Sequence, residues 1–106
     1  MRSLEIENEQ REEFIRYYYV AKKEMTKETF VTHVNEREGL NIIVKGNLPG
    51  IDSDILEMTD LKDFFDKEMN GELKLSGCTI ENEWNRKICF IETTDHYVMR
   101  IWETTA

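Results

Sequence analysis

The feature that most constrains the fold is the C-terminal third of the chain, where apolar and polar residues alternate in three successive runs. The runs cover about residues 72–81, 86–93 and 97–104, and polar residues typical of turns separate them. Alternation with a period of two is typical of half-buried β-strands, and short connections join antiparallel neighbours. The sequence therefore predicts a three-stranded antiparallel meander here.

The first of these runs changes its apolar phase part-way along. Leu73 and Leu75 alternate in one phase, whereas Cys78 and Ile80 continue in the other, and Gly77 lies between them. A change of phase at a glycine is typical of a β-bulge, which inserts one extra residue into a strand. We therefore predict a bulge at Gly77.

The connection between the first two runs fixes a predicted register. If residues 82–85 form a four-residue loop, Glu81 pairs with Arg86, and Cys78 lies directly across from Cys89. The two thiols would then be cross-strand neighbours. They would form a disulfide only in an oxidising compartment, and with strained geometry.

Apolar residues near the N-terminus recur at helical spacing. They lie at i, i+4, i+7 and i+11, namely Phe14, Tyr18, Ala21 and Met25. This stripe predicts a first helix over about residues 9–25, with Asn8 as its N-cap. Leu4 and Ile6 alternate with polar residues and allow a short strand before it. The run 17–20, Tyr-Tyr-Tyr-Val, also has strand propensity, and a strand is the competing interpretation.

The next segment is rich in β-branched residues on both sides of a polar turn. Residues 29–34 and 40–45 are apolar or β-branched, and 35–39 are polar and end in glycine. The pattern predicts a β-hairpin with a five-residue loop. A helix over residues 27–37, capped by Thr26, is the alternative interpretation.

A second helix is predicted from Thr59 to Met69, after a loop over residues 51–58. Thr59 can serve as its N-cap, and Asn70-Gly71 is a typical stop signal. One face of this helix is apolar, with Leu61, Phe64, Phe65 and Met69. That face is expected to pack against the sheet.

These elements predict a single α+β domain spanning residues 1–106. The chain is 40% hydrophobic and contains one proline and five glycines, which is enough for one core and gives no sign of a linker. The predicted order is α-β-β-α-β-β-β. We expect a mostly antiparallel sheet of about five strands, with two helices packed on one face.

Negative charge is concentrated around the second helix. Residues 52–68 contain seven acidic and two basic residues, which gives 2 − 7 = −5 out of a net charge of −8 for the chain. Such a field attracts a basic partner and repels nucleic acid and anionic membranes. We therefore expect a basic protein partner, for example a nuclease or another nucleic-acid-binding protein, with no direct nucleic-acid or membrane binding.

Within the acidic segment, one row of carboxylates is predicted to face solvent together. Asp60, Asp63 and Asp66 lie three residues apart, away from the apolar face. Like charges at this spacing weakly destabilise a helix, so a partner would explain them. The predicted binding residues, including an aromatic residue at the tip of the hairpin, are Asp52, Asp54, Glu57, Asp60, Asp63, Asp66 and Trp84. The alternative is a solvated face that aids solubility, or a Trp84 ring that folds back over the sheet.

No catalytic, metal or cofactor site is predicted. The cysteines and histidines have no zinc spacing, and the glycines do not form a phosphate-binding loop. A calcium loop beginning at Asp52 would need an acid or amide at Leu56 and a glycine at Glu57. His33 and His96 are expected to act structurally.

Two functional hypotheses follow. The first is a small acidic, non-enzymatic binding protein that inhibits or neutralises a basic site on a partner, similar in type to immunity proteins, nuclease inhibitors and anti-defence proteins. The alternative is a small-molecule-binding or isomerase-like protein, in which a helix against a curved sheet encloses a pocket. Its expected lining is Tyr17, Tyr19, His33, Cys89 and Trp102. The N-terminal residues lack the apolar core of a secretion signal, so a cytoplasmic location is expected.

Overall fold

A computed structural model of the chain describes residues 5–10, 14–44, 46, 48 and 50–104, and the side chains among them from residue 16 onward. The elements in chain order are β1 (Glu5–Gln10), β2 (Phe14–Lys22), α1 (Lys27–Glu38), α2 (Ser53–Leu56), α3 (Thr59–Glu68), β3 (Lys74–Asn82), β4 (Arg86–Thr93) and β5 (His96–Thr104). The predicted α+β class with an antiparallel sheet is confirmed. The predicted order of elements is wrong, because two strands rather than a helix come first.

The described strands form one antiparallel sheet in the order β1-β2-β5-β4-β3. The predicted C-terminal meander is confirmed, with β4 paired to both β3 and β5. β5 also pairs with β2, so that Tyr18 lies opposite Arg100 and Arg100 lies opposite Cys89. These three residues therefore form one row across the middle of the sheet.

Helices cover both faces of the sheet, not one face as predicted. On one face, Phe30 and Val34 of α1 pack with Tyr19 and Met99. On the other face, a second cluster joins the two later helices to the sheet and contains Tyr18, Val20, Ile55, Leu61, Phe64, Phe65, Met69, Cys89, Ile91 and Val98. The central strands are apolar on both faces, so each face must be covered to exclude water.

The predicted N-terminal helix over residues 9–25 is wrong, and the competing strand is correct. β2 is an inner strand that pairs with β1 and β5. Tyr19 and Ala21 enter one core cluster, whereas Tyr18 and Val20 enter the other. An inner strand buried on both faces is a continuous apolar run, and such a run also satisfies a helical stripe.

The predicted hairpin over residues 29–45 is also wrong, and the alternative helix is correct. The Thr26 side chain caps α1 by accepting a hydrogen bond from the Thr29 N–H at 3.1 Å. Gly39 ends the helix with a left-handed φ of 67°, and the Leu40 N–H donates to the Asn35 carbonyl. These two end signals outweigh the β-branched content of the segment.

The described residues directly after Gly39 belong to no helix or strand. The Asn35 side chain of α1 binds both backbone polar groups of Ile42. Its Oδ1 accepts from the Ile42 N–H at 2.8 Å, and its Nδ2 donates to the Ile42 carbonyl at 3.0 Å. An amide side chain therefore takes the place of a strand partner. Part of the predicted strand, Lys45, lies outside the described residues.

The helix predicted over residues 59–69 is confirmed by α3 (Thr59–Glu68). The predicted N-cap is wrong, because Thr59 is the first helical residue and Met58 occupies the N-cap position without a side-chain hydrogen bond. The predicted loop over residues 51–58 contains the short helix α2, which was not expected. Phe64 of α3 stacks on Tyr18 with the ring centroids 4.1 Å apart, and this contact fixes the helix over the sheet. No helix among the described residues is long and apolar enough to cross a membrane.

The predicted bulge at Gly77 is wrong in position. The register of β3 against β4 shifts between Lys74 and Ser76, and again between Thr79 and Glu81. Gly77 instead lets another backbone segment approach the edge of the sheet. Its N–H donates to the Gly50 carbonyl at 2.8 Å, and its carbonyl accepts from the Asp52 N–H at 3.2 Å. The segment 50–52 thus covers part of an edge strand.

The two cysteines are not cross-strand neighbours. Cys78 lies opposite Phe90, and Cys89 lies opposite Thr79, one residue away from the predicted register. Cys78 packs against the core on the α1 side of the sheet, whereas Cys89 belongs to the core on the other side. Both thiols are free, and their side chains are on opposite faces.

Candidate functional site

The acidic residues predicted to bind a partner lie on and between α2 and α3. Five of the six are exposed: Asp52, Asp54, Glu57, Asp63 and Asp66. Asp52 is the N-cap residue of α2, although its side chain does not cap that helix. Its Oδ2 accepts a hydrogen bond from the Thr79 N–H at 2.9 Å, which ties the acidic segment to β3.

The other four exposed acids form no ion pair with another residue of the described part of the chain. Among the ion pairs of the described residues, with a limit of 4.0 Å between nitrogen and oxygen, none includes Asp54, Glu57, Asp63 or Asp66. Lys62 and Lys67 of α3 are also exposed, but neither forms an ion pair of this kind with a described residue. We call these four carboxylates the acidic surface.

Asp60 does not belong to this surface, so the predicted solvent-facing row is wrong at its first member. The Asp60 carboxylate accepts hydrogen bonds from Arg100 Nε at 2.7 Å and Arg100 Nη2 at 3.2 Å. Tyr18 also donates its hydroxyl hydrogen to Asp60, and Arg16 Nε lies 3.5 Å away. Asp60 is therefore half-buried and neutralised by arginines of the same chain.

The pKa of Asp60 reflects this environment. Burial alone would raise the pKa, but the hydrogen bonds from Arg100 and Tyr18 and the charges of Arg100 and Arg16 lower it below its ordinary value. Burial, the hydrogen bond to Asp60 and the negative charge of Asp60 raise the pKa of the Tyr18 hydroxyl, while the charges of Arg100 and Arg16 act in the opposite direction. Asp60 is thus held as a carboxylate, and its function is to connect α3 to the sheet.

The sequence contains a signal for this contact that the prediction missed. Arg100 lies in phase with Val98 and Trp102 along β5. Only 7% of Arg100 is exposed. A buried guanidinium needs an acidic partner, because an unpaired charge in the interior is strongly unfavourable. The position of Arg100 among the inward-facing residues of β5 could therefore have been used to predict that one acid of α3 pairs with it.

A groove of about 210 Å³ lies between the acidic helices and the β3–β4 hairpin. Asp54 and Met58 line it on the helical side, and Thr79, Glu81, Asn82 and Lys87 line it on the hairpin side. The buried residues Ile88, Cys89 and Arg100 complete the lining. Asp54 is therefore a member of both the acidic surface and the groove.

Trp84 lies at the tip of the same hairpin and is 72% exposed. The tip is tighter than predicted, because the Glu83 N–H donates to the Arg86 carbonyl at 2.9 Å and the Arg86 N–H donates back at 3.3 Å. Two residues, Trp84 and Asn85, therefore form the turn. The ring does not fold back to cover apolar surface, and its exposure is typical of a residue that contacts a partner.

The residues expected to line an enclosed ligand cavity are not brought together. Tyr17 and Tyr19 pack in or against the core on the α1 side of the sheet. Cys89 belongs to the core on the other side, and its thiol pKa is raised to about 12 by burial. His33 lies on α1. The sheet therefore separates the members of this set.

A polar cluster around His96 was not predicted. His96 Nδ1 lies 2.9 Å and 2.8 Å from the two carboxylate oxygens of Glu72. Thr93 donates its hydroxyl hydrogen to Glu72 and accepts from the His96 N–H at 2.8 Å. Burial would raise the pKa of Glu72, but the contacts with Thr93 and His96 lower it overall. The cluster joins the chain after α3 to the β4–β5 turn.

Within the part of the chain whose side chains are described, no three histidine, cysteine, aspartate or glutamate residues gather in a way that could hold a metal ion. The chain matches no protein-family model, no curated protein and no solved structure.

Proposed function

We propose that the protein is a small acidic, non-enzymatic binding protein that inhibits or neutralises a basic site on a partner protein. This function is of the immunity, anti-defence or nuclease-inhibitor type. The observation that carries the proposal is the acidic surface: Asp54, Glu57, Asp63 and Asp66 are exposed, and no lysine or arginine of the described residues pairs with them. Their charge is available to a partner.

Electrostatic attraction would act mainly on the rate of association. Clustered charges of one sign steer an oppositely charged partner toward the surface, and salt screens the attraction over about 10 Å at 0.1 M ionic strength. We therefore expect binding that weakens steeply with added salt. The net charge of −8 adds a general repulsion of anionic partners.

Two exposed apolar side chains could supply the contacts that follow the encounter. Leu56 of α2 is 53% exposed and lies beside Glu57, and Trp84 is 72% exposed at the hairpin tip. Large apolar side chains contribute most of the binding energy at many interfaces, while charges at the rim set the rate and the specificity. In this proposal Leu56 and Trp84 dock after the acidic surface has oriented the partner.

Affinity capture from the native cell tests the proposal. A tagged protein is incubated with lysate at low and at high salt, and bound proteins are identified and their isoelectric points compared. The acidic-surface variant Glu57→Gln/Asp63→Asn/Asp66→Asn is expected to bind the basic partner about tenfold more weakly, since it removes three exposed charges and each exposed charge pair contributes about 0.5 kcal/mol, or about 1.5 kcal/mol together.

A matched variant separates local from global charge. Glu28 and Glu36 of α1 and Asp95 of the β4–β5 turn are exposed and lie on elements other than α2 and α3. Glu28→Gln/Glu36→Gln/Asp95→Asn changes the net charge by the same amount and is expected to bind the partner like the wild type. If the acidic-surface variant captures the same basic protein as strongly as this control, the proposed role of the acidic surface is wrong.

A further inference from the structure

The turn directly after α3 is formed by the dipeptide Asn70-Gly71. Asn70 has a φ of 53° and Gly71 has a φ of 69°, so both residues lie in the left-handed region. Among the residues that the structure describes, Asn70 is the only one other than glycine with a positive φ. Asparagine and glycine adopt this conformation more readily than other residues, and both are common where a helix ends. The pair therefore accounts for the end of α3.

The same dipeptide has the order of residues that favours deamidation. In this reaction the main-chain nitrogen of the residue after an asparagine attacks the side-chain carbonyl carbon, and a glycine leaves the approach unhindered because it has no Cβ. No other asparagine in the sequence is followed by a glycine. Asn70 and Gly71 are both exposed, so water can reach them.

The bonds that change are those of the Asn70 side-chain amide. Gly71 N forms a bond to Asn70 Cγ, and the bond between Cγ and Nδ2 breaks. Nδ2 leaves as ammonia, which carries the hydrogen that Gly71 N gives up, and a cyclic succinimide remains. Water then opens the ring at either of its carbonyl groups and leaves an aspartate or an isoaspartate at position 70. No electrons are exchanged, and water is the only other reactant.

The folded turn holds the nitrogen that has to attack. The Gly71 N–H donates to the Phe65 carbonyl at 2.8 Å, and the next N–H, that of Glu72, donates to the Met69 carbonyl at 3.0 Å. Gly71 N must lose its hydrogen in order to bond to Cγ. A hydrogen bond made by the protonated form of a group opposes loss of the proton. The closed turn is therefore expected to slow the reaction.

The Glu72 side chain fixes the chain directly after this turn. Its two carboxylate oxygens lie 2.9 Å and 2.8 Å from His96 Nδ1, and it accepts a hydrogen bond from the Thr93 hydroxyl. The ends of helices open locally at a low cost in free energy unless tertiary contacts hold them. The contacts of Glu72 supply such a restraint for the turn after α3.

We propose that Asn70 is a site of spontaneous deamidation, and that the Gly71–Phe65 hydrogen bond and the contacts of Glu72 keep the reaction slow until the turn opens. The modification replaces a neutral amide by a carboxylate. The turn lies next to the acidic surface, because a Cβ on Gly71 would lie 3.9 Å from Asp66 Oδ1. The new charge would also lie at the C-terminal end of α3, where the helix dipole disfavours negative charge.

The rate of deamidation in the whole chain tests the proposal. Native protein and protein unfolded in guanidinium chloride are incubated at the same mildly alkaline pH and temperature. Isoaspartate at position 70 is measured by peptide mapping with mass spectrometry, and isoelectric focusing detects the added negative charge. The reaction is expected to be at least about tenfold slower in the native protein, because only the fraction of molecules with an open turn reacts.

Four variants assign the reaction and its restraint. Asn70→Gly removes the amide but keeps a residue that tolerates the left-handed turn, and it should form no isoaspartate at this position. Glu72→Ala removes the contacts after the turn and should raise the native rate several-fold, and His96→Ala removes part of the same contacts and should act in the same direction. Glu57→Gln changes an exposed residue between α2 and α3 and should react like the wild type.

Each alternative outcome contradicts a stated part of the proposal. If the unfolded wild type forms no isoaspartate at position 70, Asn70 is not a deamidation site. If native and unfolded protein react equally fast, the folded turn does not restrain the reaction. If Glu72→Ala and His96→Ala both keep the native rate of the wild type, the contacts of Glu72 do not hold the turn closed.

Discussion

The carboxylate of Asp60 in α3 binds the guanidinium of Arg100 in β5 in a bidentate manner, with Nε–Oδ2 at 2.7 Å and Nη2–Oδ1 at 3.2 Å. This pair joins α3, on one face of the sheet, to β5, the central strand of the sheet. Arg16 and Tyr18 of β2 approach the same carboxylate. One aspartate of the acidic segment is therefore structural, whereas its neighbour Asp63 is exposed.

Substitution of Asp60 by asparagine is expected to destabilise the fold. The change leaves Arg100, which is 7% exposed, without its anionic partner. Breaking a buried ion pair on one side costs about 3–5 kcal/mol, and because Asp60 is only half-buried we expect about 2 kcal/mol. The free energy of unfolding is measured by urea denaturation. Asp63→Asn is the matched control and is expected to stay within about 0.5 kcal/mol of the wild type.

The stability is also expected to fall at acidic pH, in part through Asp60. Its pKa is lowered in the folded state, so the unfolded state binds more protons between the folded pKa and the ordinary value near 4. The contribution is therefore complete above about pH 4 and is lost as the pH falls through the folded pKa. Glu72, whose pKa is also lowered, acts with the same sign.

Urea denaturation midpoints measured from pH 7 to below pH 3 check this prediction. The Asp60→Asn variant lacks the titrating group and is expected to lose less stability over this range than the wild type does. Parallel pH profiles for the two proteins would show that Asp60 does not contribute to the acid dependence.

The sequence predicts the local pattern of the C-terminal half well. The three strands after residue 72 and the helix beginning at Thr59 were predicted from alternation, helical spacing and turn residues, and the structure has them. These elements have one dominant period each. Within the meander, β4 pairs with the strands directly before and after it in the chain, so short-range signals are sufficient to predict these pairings.

The N-terminal half could not be predicted in the same way, because its strongest patterns fit two structures. The run Tyr17–Val20 is apolar at every position and satisfies both a helical stripe and an inner strand buried on two faces. The segment after Thr26 has strand composition but helical end signals. After Thr26 the helical end signals outweigh the strand composition. Over residues 17–20 tertiary packing decides between helix and strand, and the sequence does not state which surfaces will be covered.

Composition locates the acidic segment, but it does not predict which of its acids are exposed. Counting charges located the segment, and five of its six proposed acids are exposed. The sixth, Asp60, differs only because Arg100 of a distant strand reaches it. This pairing depends on the register of β5 against its neighbouring strands. The spacing of the acids along α3 gives no information about that register.

Gly77 is expected to be intolerant of a larger side chain. A Cβ atom at this position would lie 3.0 Å from the Phe90 carbonyl oxygen and 3.3 Å from Ile55 Cδ1. The backbone atom cannot move without disturbing the β3–β4 ladder, so Gly77→Ala is expected to cost about 1–3 kcal/mol. Gly50→Ala is the control, because a Cβ there would meet nothing within 4 Å. Equal unfolding free energies for the two variants would contradict the close approach.

The two cysteines are expected to differ in reactivity and not to pair. Cys89 is 1% exposed, and burial raises the pKa of its thiol to about 12, so almost no thiolate is present at neutral pH. Cys78 is only partly buried. In native protein, iodoacetamide should modify Cys78 first, and Cys89 should react only after unfolding.

Because the side chains of Cys78 and Cys89 are on opposite faces of the sheet, an oxidant should produce no intramolecular disulfide. Mass spectrometry of the native, oxidised protein checks both statements, and a bridged peptide containing both residues would contradict the register of β3 against β4.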